Sequence, residues 1–290
     1  MTQEEKRLVE ELNSLLTGYA IRSACTNMPY VKCSPTTVND QVFLFEKEED
    51  AKAFCAAEQA AGIPVTVQKL EAKPIEGDPE GRVVSMVRQF LATLLMLDVD
   101  VVCYRSAAMT EGKEIYVSDL MPEGLVRKML KSQVYNPLLQ LTGIFFCQAA
   151  RLPKDRQDPE EIKLAEEEFA ANLVKSELLI AVLPPEGMEA EGGKGSVKLS
   201  ECRYPSVKNP AGQVFMPVFT DLHELQKFAG KRRLAAMKVS FLRLHNYFLK
   251  EADGYLLNPA GFALPLKREQ MGAMAARFGL QLETLPKPTK

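Results

Sequence analysis

Apolar residues recur along this chain with two periods, and each change of period marks a new element. Leu8, Leu12, Leu15 and Leu16 fall on one stripe of a helix predicted over residues 4–16, with charges on its other face. A polar stretch runs through Pro35. Residues 41–47, Gln-Val-Phe-Leu-Phe-Glu-Lys, then predict a strand, and 48–61 a helix that groups Ala51, Phe54 and Cys55 before Gly62-Ile63-Pro64 stops it. Residues 65–70 alternate as a strand does, 72–81 form a loop rich in proline, glycine and acid, and 83–97 return to the helical period. Strands are predicted at 98–104 and 114–118, on either side of a turn near Gly112.

The pattern restarts at Tyr135-Asn136-Pro137. There Asn136 is placed to cap a helix over 138–150 and Pro137 takes its first position, where a missing N–H costs nothing. The charged, proline-bearing stretch 151–158 divides the chain into domains at 1–155 and 156–290. Asp158-Pro159-Glu160-Glu161 opens the next helix, with Ile162, Ala165, Phe169 and Leu173 on its buried stripe. Strands follow at 178–183 and 196–200, joined by the turn-rich segment 184–195.

In residues 212–220, Val214, Met216 and Val218 share one face while Phe215 and Phe219 share the other, so both faces of that strand are expected to be covered. Pro217 cannot donate to a ladder and predicts a sheet edge or a bulge. Thr220 or Asp221 then caps a short helix with Leu222, Leu225 and Phe228 pointing inward and Glu224 placed for a capping box. A strand at 234–239, a helix at 240–249, a strand at 254–257 and a last helix at 267–278 complete the series. The turn Asn258-Pro259-Ala260-Gly261 carries the residues that a type I turn prefers. The fold class is therefore α/β, a mixed α+β arrangement.

The run Met216-Pro-Val-Phe-Thr-Asp-Leu-His-Glu-Leu-Gln-Lys-Phe228, followed by Leu256-Leu-Asn-Pro-Ala-Gly261, resembles the SseB family over residues 177–280. The resemblance implies an SseB-like domain with a mixed sheet and flanking helices. It implies no settled enzymatic activity and no catalytic residues. Upstream, Gln41 to Phe54 echoes Gln213 to Phe228 as strand, acidic turn and helix, and residues 101–104 echo 255–257. The first domain is thus expected to be a diverged α/β repeat of the second, two residues shorter in this stretch and without the Pro217 and Asn-Pro features.

Composition narrows the function more than it defines it. A chain of 290 residues with 46% apolar and 26% charged residues has material for packed cores. Its 36 basic and 38 acidic residues are interspersed, which gives no field for a nucleic acid. No uncharged apolar run reaches about 18 residues, and Met1-Thr-Gln-Glu-Glu-Lys-Arg has charges where a secretion signal needs an apolar stretch. Six cysteines without a C-x-x-C pair fit reduced thiols, and with these features predict a cytoplasmic protein without membrane insertion.

Candidate chemistry is sparse. His223-Glu224 begins like a zinc helix motif, but Lys227 stands where the second histidine is needed, and His245 has apolar neighbours. Gly187, Gly192, Gly193 and Lys194 miss the spacing of a phosphate loop. Asp98 and Asp100 would share a strand face, with no third ligand nearby. No catalytic, metal or cofactor site is expected. The leading expectation is an intracellular non-enzymatic interaction or adaptor module that binds a protein partner or itself at an edge formed by Phe215, Pro217, Phe219 and Asp221. The competing expectation is a small-molecule-binding protein or enzyme with its site in a cleft between the halves, near Tyr104, Asp98, Asp100 and Asn258.

Overall fold

The computed structural model describes residues 2–121, 124, 134–183 and 203–284. The predicted strand at 196–200, the turn-rich segment before it, Cys202 and the last six residues lie outside this range. The chain divides into two compact units, one of Met1–Ser132 with Gln140–Ala165 and one of Gln133–Leu139 with Glu166–Lys290.

The first unit begins with α1 (Gln3–Ser14), where Thr2 accepts from the Glu5 amide and Glu5 answers in a capping box. Leu8 and Leu12 of its apolar stripe are buried, whereas Leu16 lies past the helix and is exposed. Next come β1 (Thr17–Ser23), β2 (Lys32–Cys33), β3 (Asp40–Phe45), α2 (Glu48–Ala60), β4 (Val65–Glu71), β5 (Lys73–Pro74), β6 (Val83–Val84), α3 (Met86–Leu94), β7 (Val101–Arg105), β8 (Lys113–Tyr116) and α4 (Val117–Leu120). The sheet runs β4-β1-β3-β7-β8, with β2 added beside β3, while β5 and β6 pair separately. Ile21, Tyr30, Phe43, Phe45 and Val65 from the sheet side meet Ala51 and Cys55 of α2 in one core cluster.

Two helices, α5 (Pro137–Ala150) and α6 (Pro159–Val174), follow, and the second starts as expected. Asp158 Oδ1 accepts from the Glu160 amide at 2.9 Å and more weakly from that of Glu161 at 3.4 Å.

The second unit contains β9 (Glu177–Val182), β10 (Val207–Lys208), β11 (Val214–Phe219), α7 (Leu222–Ala229), β12 (Ala235–Ser240), α8 (Phe241–Leu244), β13 (Gly254–Leu257), β14 (Leu264–Lys267) and α9 (Arg268–Arg277). Its sheet runs β12-β9-β11-β13-β14, with β10 added beside β11. With strands numbered within each six-stranded sheet, so that β5 and β6 are left out, the two sheets have the same strand order. The pairing sense also agrees throughout: β3 and β7 are parallel, as are β11 and β13, and every other pair in either sheet is antiparallel.

Several elements depart from the sequence expectation. The central strand β1 was hidden in a stretch read as polar, because Gly18, Ala20 and Ser23 do much of its inward packing beside Ile21. Neither Asp98 nor Asp100 lies on a strand: Asp98 ends a 3-10 turn with φ of 55°, and Asp100 sits just before β7, where it accepts from the Asp40 amide at 2.8 Å. The predicted helix at 240–249 shortens to α8 and a 3-10 turn, and β14 forms despite its central Pro265. Leu222 faces outward, while Leu225 supplies the buried contact of α7.

Candidate functional site

The expected interaction edge is not an edge. β11 lies inside its sheet, with β9 and β10 on one side and β13 on the other. Phe215 (4% exposed), Pro217, Phe219 (0%) and Asp221 (1%) are all buried. Pro217 is accommodated by a change of neighbour. β10 pairs with residues 214–215 and β9 with 218–219, so the missing N–H falls in the gap between two antiparallel partners, while β13 stays in register along the other side. Phe219 belongs to the core, packed with Leu179, Ala181 and Leu225 and tilted against the Phe228 ring at 5.4 Å.

At the carboxyl ends of the parallel pair β11 and β13, three buried polar residues close a network. The Thr220 amide donates to Asn258 Oδ1 at 3.0 Å, Asn258 Nδ2 donates to Thr220 Oγ1 at 2.9 Å, and that hydroxyl donates to Asp221 Oδ2 at 2.8 Å. Asp221 Oδ1 in turn accepts from the Glu224 amide at 3.0 Å and caps α7. Asn136 ties in the Thr220 carbonyl at 2.7 Å. Asn258 adopts a left-handed φ of 47°, a conformation that asparagine tolerates better than most residues. In open α/β sheets this end of the strands commonly receives ligands. Here the side chains that would greet one are spent on each other.

The first unit closes the corresponding place with the roles of the strands exchanged. Glu46, directly after β3, sends its carboxylate to the Ala107 amide beyond β7 at 2.6 Å, while its own amide donates to the Arg105 carbonyl at 3.0 Å. In the second unit the reaching side chain comes instead from beyond β13.

Titratable groups follow the same structural logic. Burial lowers the His223 pKa from its ordinary value of 6.5; nearby Lys227 adds to this and Asp221 opposes it. The folded chain therefore binds this proton less readily than the unfolded chain. Its contribution to stability is complete above about pH 6.5 and is lost as the pH falls toward the depressed folded value. Urea midpoints should accordingly drop on acidification through this window, and His223→Gln should flatten that part of the slope. An unchanged slope would remove His223 from the account.

Tyr104 is fully buried and donates to Glu11 at 3.1 Å, with burial first among the causes that push its pKa up. Burial likewise raises Asp98, with Asp100 adding to the effect. His245 Nδ1 lies 3.1 Å from the Leu242 carbonyl oxygen. Asp98, Asp100 and Tyr104 belong to the first unit and Asn258 to the second.

Five cysteines of the described residues are free, with Cys55 and Cys147 buried and Cys33 exposed. Burial pushes the Cys147 thiol up to about 11. A maleimide reagent at neutral pH should modify Cys33 well before Cys55 or Cys147, which peptide mass mapping would resolve; early labelling of Cys147 would contradict this environment. Among the described residues, no group of three or more His, Cys, Asp or Glu could hold a metal ion.

Among the described residues, a strand edge lies elsewhere. β12 closes the second sheet, and its six residues register with β9 without interruption. Sequence reasoning located the strand but gave it no role. The available signal was its small leading residues, Ala235 and Ala236, directly after Lys231-Arg232-Arg233 and Leu234.

Residues 156–273 match the family described as SseB protein N-terminal domain, and the matched segment contains the Thr220, Asp221 and Asn258 network. No curated protein matches the chain. Among solved structures, the one titled "Anabaena Tic22 (protein transport)" aligns over 83% of this chain and 83% of that chain at 9% identity, with a TM-score of 0.20. "Tic22 from Plasmodium falciparum" aligns over 94% of this chain and 99% of that chain at 9% identity, with a TM-score of 0.21. Likeness at that level carries no argument about this chain.

Proposed function

We propose that this chain, with its SseB domain at residues 156–273, is a non-enzymatic cytoplasmic protein that works as an interaction or adaptor module. The observation that carries this reading is the closed network at the carboxyl ends of β11 and β13. Thr220, Asp221 and Asn258 are buried and satisfy one another, so the most distinctive polar residues of the domain hold its backbone together. Surface and strand edges are then left to do the work. The free, partly buried thiols support placement in a reducing compartment.

We further propose that residues 1–155 and 156–290 are two domains derived by duplication. The shared strand order and pairing sense support this, as do β3–α2 and β11–α7, which occupy matching places at the positions whose sequences echo one another. A duplicated scaffold would let one copy keep an ancestral contact while the other changes partner.

Affinity capture of the full chain from its native cell, followed by native mass spectrometry, tests the interaction reading. A stoichiometric protein partner or a defined self-association is the expected result. Recovery of a tightly held metabolite with no protein partner would overturn it.

A further inference from the structure

Resting on that interaction reading, we propose that the outer edge of β12 accepts an added strand from a partner protein, supplied by an extended segment that is acidic where it meets residues 231–233.

The edges of the two sheets differ in how well they are guarded. Unpaired edges are normally blunted by charge, proline, bulges or short length. β8 has four residues, including Lys113 and Glu114, and β14 has four with Pro265 among them. β4 is longer but presents exposed Lys69 and Glu71. β12 has none of these protections in full. Its register with β9 runs unbroken from Ala235↔Val182 to Ser240↔Glu177, and among the described residues no strand pairs with its other side, which leaves a row of backbone groups there. Ala235 and Ala236 are exposed and small enough to let a second backbone approach, and Met237 is half-buried. The single charge, Lys238, is drawn toward β9 by an ion pair with Glu177 at 2.6 Å.

The surroundings select the partner's charge. Residues 222–234 hold Lys227, Lys231, Arg232 and Arg233 against one acid, Glu224, with which Lys227 pairs at 2.6 Å. Arg232 is committed to the end of α7, where it donates to the Phe228 carbonyl at 2.6 Å and lies 4.6 Å over the Phe228 ring. Lys231 and Arg233 are exposed, and neither makes an ion pair among the described residues. An incoming strand therefore finds backbone partners along β12 and two uncommitted cations at its start.

Charge argues against a second copy of this chain as the occupant. Antiparallel pairing of β12 with itself would set residues 231–233 opposite residues 242–244, where the one charged residue, Arg243, is already engaged by Glu283 at 2.6 Å. Parallel pairing would stack the basic clusters directly. The parallel arrangement repels, and the antiparallel one offers Lys231 and Arg233 no uncommitted acid.

The test uses the full chain and a fluorescein-labelled peptide of about ten residues that alternates valine and threonine and carries a run of glutamates at one end. Controls replace the glutamates by lysines, move them to the other end, or methylate alternate backbone amides. The glutamate peptide should bind, slow amide exchange at residues 235–240, and lose its affinity on methylation. Reversing Lys231 and Arg233 to glutamate should weaken it about tenfold, as expected for two exposed ion pairs lost and opposed, while leaving the melting temperature of the free protein unchanged. It should also transfer preference to the lysine peptide.

Absence of binding by the glutamate peptide would overturn the proposal, as would indifference to amide methylation. An oligonucleotide that competes by covering 231–233 without protecting 235–240 would make the cluster a polyanion site instead. If native capture yields a protein partner that leaves exchange at 235–240 unchanged, the β12 site fails while the interaction reading stands. Capture of a metabolite alone would remove the broader reading.

Discussion

Asn258→Ala should cost the second unit about 3–4 kcal/mol, a drop of about 10 °C in its melting temperature. The substitution removes the acceptor of the buried Thr220 amide and the donor to the Thr220 hydroxyl together. Both groups are fully shielded from water, and Thr220 is 0% exposed, so solvent cannot replace what is lost. Alanine must also hold the left-handed backbone that asparagine occupies at φ of 47°. Asn258→Gly separates the two effects: it should recover about 1 kcal/mol of backbone strain and retain the hydrogen-bond loss. Calorimetry of both variants checks this. If Asn258→Ala melts within a degree or two of the parent, the network is not what closes β11 onto β13.

The second large effect is expected at Gly254→Ala. Gly254 begins β13 opposite Lys267 of β14, and a Cβ there would fall inside hard contact of the Leu266 carbonyl oxygen and 3.0 Å from Lys267 Cα. The obstruction is backbone on both counts, so no side chain can swing aside. The neighbouring chain is clamped as well: the Val214 amide donates to Asp253 Oδ2 at 2.7 Å, and Arg268 reaches the Leu249 carbonyl at 3.0 Å while its guanidinium lies 4.3 Å over the Phe248 ring. Either β14 separates from β13 or the start of β13 shifts, with an expected loss of about 3 kcal/mol. Hydrogen exchange at residues 264–267 distinguishes the two outcomes from a silent substitution. Unchanged protection and unchanged melting would show that the pair has slack the geometry does not reveal.

Much of this architecture could be read from the chain because burial there is carried by large residues. Val214 to Phe219 announce a strand covered on both faces, and Asp158-Pro159 announces a helix start. β1 escaped because Gly18, Ala20 and Ser23 fill a central position with almost no apolar signal. Pro217 misled for a different reason. A missing N–H says that a ladder is interrupted, and it does not say whether solvent or a change of neighbour lies on that side. Asn258 was recognised as a turn former, and it does close a turn, with the Gly261 amide donating to its carbonyl at 2.9 Å. Its larger role depends on Thr220, 38 residues earlier, a pairing that local spacing cannot supply. The β12 edge was hidden by the same limit, since sequence locates a strand more readily than its place in a sheet.

The handover at Pro217 also bears on how the sheet would come apart under load. A ladder shared continuously along one side of a strand must shear as a unit, but β11 has two short ladders there, held by β10 and β9 and separated by a residue with no hydrogen to give. Along β11 itself, loss of the two β10 pairs does not run on into the β9 pairs, because no bond of that ladder spans Pro217, while the segment before β10 stays tied to the end of β9 through the Leu183–Arg203 bridge. The proline acts as a rip-stop, confining damage at the sheet's margin and leaving its centre under the protection of β13.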